Sequence, residues 1–175
     1  KLLIALLLAA TVFFCTEQAA SAAPFGEVTE FADGMTAGGN PVGITAGPDG
    51  NLWFTERTAN AIGRITPTGT VTEFPVLTAA SSPLFIAAGP DGNPWVTQVD
   101  GNRLGRITPA GAVTGFTLPT PAANPGGIAV GPDGALWFTE TATHRIGRIT
   151  TTGTFSPSID VPDAGSLPFN IVGGS

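Results

Sequence analysis

Gly47-Pro48-Asp49-Gly50-Asn51-Leu52-Trp53-Phe54-Thr55-Glu56 returns as Gly89-Pro90-Asp91-Gly92-Asn93-Pro94-Trp95-Val96-Thr97-Gln98 and again as Gly131-Pro132-Asp133-Gly134-Ala135-Leu136-Trp137-Phe138-Thr139-Glu140, each copy 42 residues after the one before. A second string keeps the same interval: Gly63-Arg64-Ile65-Thr66, Gly105-Arg106-Ile107-Thr108 and Gly147-Arg148-Ile149-Thr150. No insertion separates the copies, so they are structural repeats in register. A period of about 40–45 residues with room for four short strands is that of a propeller blade. Helical repeats of similar length would show apolar residues every 3.6 positions, and that pattern is absent. The expected fold is therefore all-β, a β-propeller.

Punctuation places the strands inside one unit. Val42 to Ala46 forms an innermost strand, and Gly47-Pro48-Asp49-Gly50 reverses the chain, with Pro setting one dihedral and Gly accepting a positive one. Leu52 to Glu56 is the second strand, Asn60 marks the next turn, and Ile62 to Thr66 is the third strand. Pro67-Thr68-Gly69 turns again into an outer strand, Thr70 to Phe74, which Pro75 ends. Leu52, Trp53 and Phe54 are apolar without alternation, as expected of an inner strand packed between neighbouring blades on both faces.

The repeats predict three blades, at about 41–75, 83–118 and 125–160. Gly26 to Phe31 matches the outer strand Gly69 to Phe74 and is expected as an orphan outer strand over 26–31. Pro168-Phe169-Asn170-Ile171 matches Pro41-Val42-Gly43-Ile44 and is expected to start a further blade at 168–175. Closed propellers have about 4–8 blades, so the expectation is an incomplete arc, with the rest of the gene absent. The lack of a Met before Lys1 carries the same expectation for the other end.

Composition agrees with a turn-rich β protein: the 175 residues are 42% hydrophobic and 11% charged, with 24 Gly and 16 Pro. The formal net charge is -6 and the Arg residues are unclustered, which argues against nucleic acid or an anionic membrane as partner. Residues 1–23 read as an export signal: Lys1, a short apolar stretch to Cys15, then a small-residue cleavage site near Ala20 to Ala22. The apolar stretch falls short of the roughly 20 residues of a membrane span. The expected product is 24–175, secreted or extracytoplasmic, without cysteine and without lasting membrane association.

The unit Gly-Pro-Asp-Gly-x-Leu-Trp-Phe-Thr-Glu with Ile-Gly-Arg-Ile-Thr-x-x-Gly resembles the repeat of the streptogramin (virginiamycin B) lyases, over nearly all of residues 26–174. The resemblance implies a seven-bladed ring, monomeric at full length, that opens a cyclic depsipeptide antibiotic at its ester by elimination with the help of magnesium. It also implies a catalytic His at the second place of a Pro-His-Gly-Ile segment in a late blade, where this chain has Val42, Leu84, Gly126 and Phe169. The family's catalytic Glu follows the second strand of its last blade, where this chain has Arg57, Val99 and Thr141. Neither catalytic residue carries over. Two other readings stay open: a secreted propeller that binds a small molecule or cyclic peptide without catalysis, and a metal-dependent lactonase-type propeller.

Residues repeated in every blade read as scaffold: Arg64, Arg106 and Arg148 as links between blades, and Asp49, Asp91 and Asp133 as turn residues lacking the alternating oxygens of a calcium loop. The first strand starts and the second ends on one face of the disc, which gives Glu56, Gln98 and Glu140 as candidates on a substrate face, either gathering a cation or polar ligand or solvating a rim. Phe85, in place of Gly43 and Gly127, would add an aromatic surface near the channel mouth together with Phe169. His144 replaces Asn60 and Asn102 in a turn and is read as a turn residue before a general base. Uncovered apolar faces at both ends of an arc would favour self-association. Residues 24–175 expressed alone should show a mass above the monomer by light scattering, and a cooperatively melting monomer would contradict this expectation.

Overall fold

Each Pro-Asp-Gly turn sets a strand beside its predecessor, and the computed structural model, described over residues 29–163 and 165–174, shows that step repeated. The export signal expected at residues 1–23 falls outside the described residues. The first sheet is a meander of β1 (Pro41–Ala46), β2 (Leu52–Glu56), β3 (Ala61–Ile65) and β4 (Val71–Pro75). The second holds β5 (Pro83–Ala88), β6 (Pro94–Gln98), β7 (Arg103–Ile107) and β8 (Val113–Thr117). The third holds β9 (Pro125–Val130), β10 (Leu136–Glu140), β11 (Arg145–Ile149) and β12 (Phe155–Asp160). All neighbouring strands are antiparallel. The innermost strands stand side by side, β5 against β1 and β9. This is an arc of three propeller blades.

Register follows the repeat closely, with two small differences from expectation. Pro75 is the last residue of the outer strand, opposite Ala61, and not the first residue beyond it. The innermost strands are not regular throughout: the pairing slips between Pro41 and Ile44 in β1, and at the matching place in β5 and between β9 and β10. Of the orphan strand expected at 26–31, residues 26–28 are outside the described residues and Thr29 to Phe31 form no strand. The Phe31 ring nevertheless lies against Gly69, as Phe74 lies against Gly111 and Phe116 against Gly153. Pro168 to Gly174 likewise form no strand, although Phe169 accepts a 2.7 Å hydrogen bond from the Gly127 amide of β9.

The turn positions its own second strand. Asp49, Asp91 and Asp133 accept from the indole Nε1 of Trp53, Trp95 and Trp137 at 3.0, 3.1 and 3.0 Å. Gly50, Gly92 and Gly134 take φ of 77°, 75° and 71°, open to glycine without strain. Burial alone would raise the Asp49 pKa, but hydrogen bonds from Asn51 and Trp53 outweigh it and hold the carboxyl below its ordinary value. At Asp133 the bonds from Trp137 and Arg148 bring it to about 2.

Each indole face then carries the repeated arginine. Arg64 lies 5.6 Å from the Trp53 ring and 5.5 Å from Phe74, and Arg106 lies 5.7 Å from both Trp95 and Phe116. Arg64 donates to the Pro109 carbonyl at 2.9 Å and Arg106 to that of Thr151 at 3.0 Å, each in the following blade. Arg148 turns instead to Asp133 at 2.7 Å and to Ser156 at 2.9 Å within its own blade.

Alternation along each second strand divides its side chains between two seams. Trp53 packs with Ile86, Val96 and Ile107 of the second blade. Trp95 packs with Ile128, Leu136, Phe138 and Ile149 of the third. The glycine facing each second strand admits this filling, since a Cβ on Gly63 or Gly147 would fall 2.1 or 2.2 Å from a Phe54 or Phe138 ring atom. At the arc's ends the same pattern is left open: Ile44 is 64% and Leu52 45% exposed, while Leu136, equivalent to Leu52, is fully buried. Trp137 is half-buried. Trp95→Ala should therefore cost about 3–5 kcal/mol in urea unfolding, and Trp137→Ala clearly less.

Candidate functional site

The face where innermost strands begin is held by a repeated backbone clasp. The amides of Thr58, Asp100 and Ala142 donate to the carbonyls of Gly39, Ser81 and Ala123 at 2.9, 3.1 and 3.1 Å. In the first two blades an Asn anchors the connection ahead. Asn60 Nδ2 donates to the Thr78 carbonyl at 2.8 Å and Asn102 Nδ2 to that of Thr120 at 2.9 Å. Their Oδ1 atoms accept from the amides of Ser81 and Ala123 at 2.8 and 2.9 Å. Both have left-handed backbones, with φ of 54° and 50°.

His144 stands at the third such place, after the 3₁₀ turn Thr141–Thr143, with φ 57° and ψ 43°. Its Nδ1 donates to the Ser166 carbonyl, fastening the connection after β12 as the two Asn side chains do theirs. Among the described residues no carboxylate hydrogen-bonds to the ring. His144 is thus a turn residue holding its neighbour.

Glu56, Gln98 and Glu140 end β2, β6 and β10 and are all buried. They share the parity of Phe54, Val96 and Phe138, so their side chains run between sheets instead of converging on one point. Glu140 accepts from Ser158 at 2.9 Å, Thr143 at 3.2 Å and Thr120 at 3.3 Å. Gln98 places Nε2 over Gly105, and its Oε1 has no donor. Among the described residues neither Glu56 oxygen has a donor, and its side chain meets Glu73 of β4. Burial, then the Glu73 charge, push Glu56 up to about 7.

Phe85 is half-buried and meets Phe169 edge-on, with centroids 5.4 Å apart. Beside them runs a feature the sequence reading missed. Thr55 accepts from the Gly43 amide at 2.9 Å and donates to the Leu84 carbonyl of the next blade at 2.7 Å. Thr139 reaches the Phe169 carbonyl at 3.2 Å, and Thr97 accepts from the Phe85 amide at 3.1 Å. Of these buried hydroxyls, that of Thr55 ties two innermost strands across blades, while that of Thr97 bonds within its own blade; the signal was a Thr at the same place in all three copies. Among the described residues no group of three or more His, Cys, Asp or Glu side chains gathers in a way that fits a metal ion.

Three antiparallel meanders sharing a row of innermost strands define a β-propeller. A sequence profile described as the virginiamycin B lyase family matches residues 11–175. The chain belongs to that family. It is similar to the virginiamycin B lyase of Bordetella parapertussis, with 46% identity over 50 residues, 29% of this chain and 16% of that protein. It is also similar to a catalytically inactive histidine-to-alanine variant of the virginiamycin B lyase from Staphylococcus aureus, solved with quinupristin. That match has a TM-score of 0.76 and 44% identity and covers 78% of this chain and 46% of that one. A streptogramin B lyase structure matches with a TM-score of 0.81 and 42% identity over 85% of this chain and 49% of its own. The chain therefore spans just under half the length of these two solved relatives.

Since His144 serves by its backbone angles and one ring hydrogen bond, His144→Asn should keep thermal stability within about 0.5 kcal/mol. His144→Val, strained in the left-handed region, should lose about 1–2 kcal/mol. Both are read by calorimetry.

Proposed function

We propose that this chain supplies blades to an exported virginiamycin B lyase-like propeller, whose activity is the elimination-type opening of a cyclic depsipeptide ester. The observation that carries the reading is the family profile over residues 11–175, with above 40% identity to two solved lyases. Elimination needs a base at a C–H bond and a stabilised leaving carboxylate. In this chain Glu56 and Glu140 are buried, and the His144 Nδ1 is committed to Ser166. The described residues do not fit the magnesium that the family resemblance implies, so no step is assigned to it here. In this reading the chain contributes scaffold and an apolar rim at Phe85 and Phe169, and the reacting groups belong to other blades of the whole protein.

Ring opening by elimination gives an isomer of the substrate, whereas hydrolysis adds water, so chromatography with mass detection separates the two. The 175-residue chain with magnesium and a streptogramin B antibiotic should show no opening above background. Opening abolished by His144→Ala would overturn the placement of His144. Residues 41–160, exchanged for the equivalent blades of the Staphylococcus aureus enzyme, should preserve its elimination product; a folded chimera without it would refute the proposal.

A further inference from the structure

The end of the second strand meets a different partner in each blade. In the third, Glu140 is satisfied by the hydroxyls of Thr120, Thr143 and Ser158. In the second, the residue is the neutral Gln98, and Gly115 stands opposite Gly105 on the outer strand. In the first, Glu73 holds that outer-strand place, opposite Gly63, and there one carboxylate meets another. Glu56 is fully buried, and neither of its oxygens has a donor among the described residues. Glu73 is half-buried and accepts from both the amide and the hydroxyl of Thr36, the latter at 2.6 Å. Thr36 opens the turn to Gly39, whose amide donates to the Thr36 carbonyl at 2.9 Å and whose carbonyl clasps Thr58. That turn leads into β1.

We propose that Glu56 and Glu73 share one proton and form a latch that fixes the Thr36–Gly39 connection onto the first blade. With the proton on Glu56, its O–H donates to the Glu73 carboxylate, which keeps both bonds from Thr36. When the proton leaves to solvent, two anions remain in contact, one of them buried without a donor. Their repulsion is relieved by moving the less buried Glu73 outward, and Thr36 goes with it. Complete burial of Glu56 keeps substrates away, so this carboxyl pair is not a catalytic dyad. Around Glu56, β1 and residues 36–40 carry no charged side chain. On β3, Arg64 is turned to Trp53, Phe74 and Pro109, and Arg57 is exposed, which leaves Glu73, among the described residues, as the charge that acts on Glu56.

The direction of the pH effect follows from both groups. Glu56, raised by burial and then by Glu73, contributes stability present below its ordinary value of 4.5 and lost as pH rises through about 7. At Glu73 burial works upward, but the bonds from Thr36 and Glu56 win and lower it, so its contribution is present above 4.5 and lost in stronger acid. The latch is firmest in the mildly acidic interval between.

Hydrogen exchange of the full chain between pH 6 and 9 tests this at the Thr36 and Gly39 amides. After correction for intrinsic exchange, opening should rise above pH 7 by up to about tenfold per pH unit, the limit for one linked proton. Glu56→Gln, which supplies a permanent N–H donor, should remove that rise, while Glu140→Gln should keep it. An unchanged rise in Glu56→Gln would overturn the proposal. So would protection restored at pH 8.5 by calcium or magnesium chloride in the parent and lost in the variant, which would make the pair a cation site. Should Glu56→Gln fail to fold, carboxyl ¹³C titration of the parent decides: a Glu56 midpoint near 7 supports the latch, and one near 4.5 refutes it.

Discussion

A guanidinium lying over two aromatic rings, with one nitrogen bonded to the backbone of the next blade, is the joint on which the arc depends. Arg64 covers Trp53 and Phe74 and reaches Pro109; Arg106 covers Trp95 and Phe116 and reaches Thr151. Each arginine fixes an indole whose far edge is already tied to the turn aspartate. The path runs from one blade's turn through its ring and cation to a turn of the next. A cation–π contact contributes about 0.5–2 kcal/mol and a charged hydrogen bond about 1.5–3. Apolar filling provides most of the attraction, and this joint sets the angle at which the filled faces meet.

The blades were legible because the repeated strings contain their own turn chemistry. Pro-Asp-Gly and the Asn60-type turns stand where the chain reverses, and the three predicted blades agree with the observed strands to within a residue or two at most ends. The slip in β1, β5 and β9 was not legible, since it is a matter of backbone register, where the Gly43 and Phe85 amides bond to the hydroxyls of Thr55 and Thr97. The two ends were also obscure. Gly26 to Phe31 and Pro168 to Ile171 copy strand sequences, but a strand also needs a paired neighbour, and Thr29 to Phe31 and Pro168 to Gly174 have no ladder.

The candidate site was legible in position and not in direction. Glu56, Gln98 and Glu140 end β2, β6 and β10 opposite Pro41, Pro83 and Pro125, where the innermost strands begin. Their side chains, however, follow the alternation that sends Phe54 and Phe138 toward a seam, and counting back by twos from each strand end would have revealed it. His144 shares the left-handed backbone of Asn60 and Asn102, a conformation visible in sequence as a residue preference. Glu73 escaped notice altogether. Only the register opposite Gly63 brings it beside Glu56.

Arg64 and Arg106 each bond to a carbonyl 45 residues ahead, one repeat and three positions on. Thr55 finds its carbonyl 29 residues ahead, and Asn60 and Asn102 find theirs 18 ahead. Each partner is set by an offset along the chain and not by an absolute address. A gene that gains or loses one whole 42-residue unit by unequal recombination therefore brings both halves of every joint back into place, with no new surface to invent. Lineages built from this unit inherit blade number as a quantity that copying errors can change in one step, while side chains that differ from blade to blade, such as Glu73, Phe85 and His144, must each arise by separate point mutation.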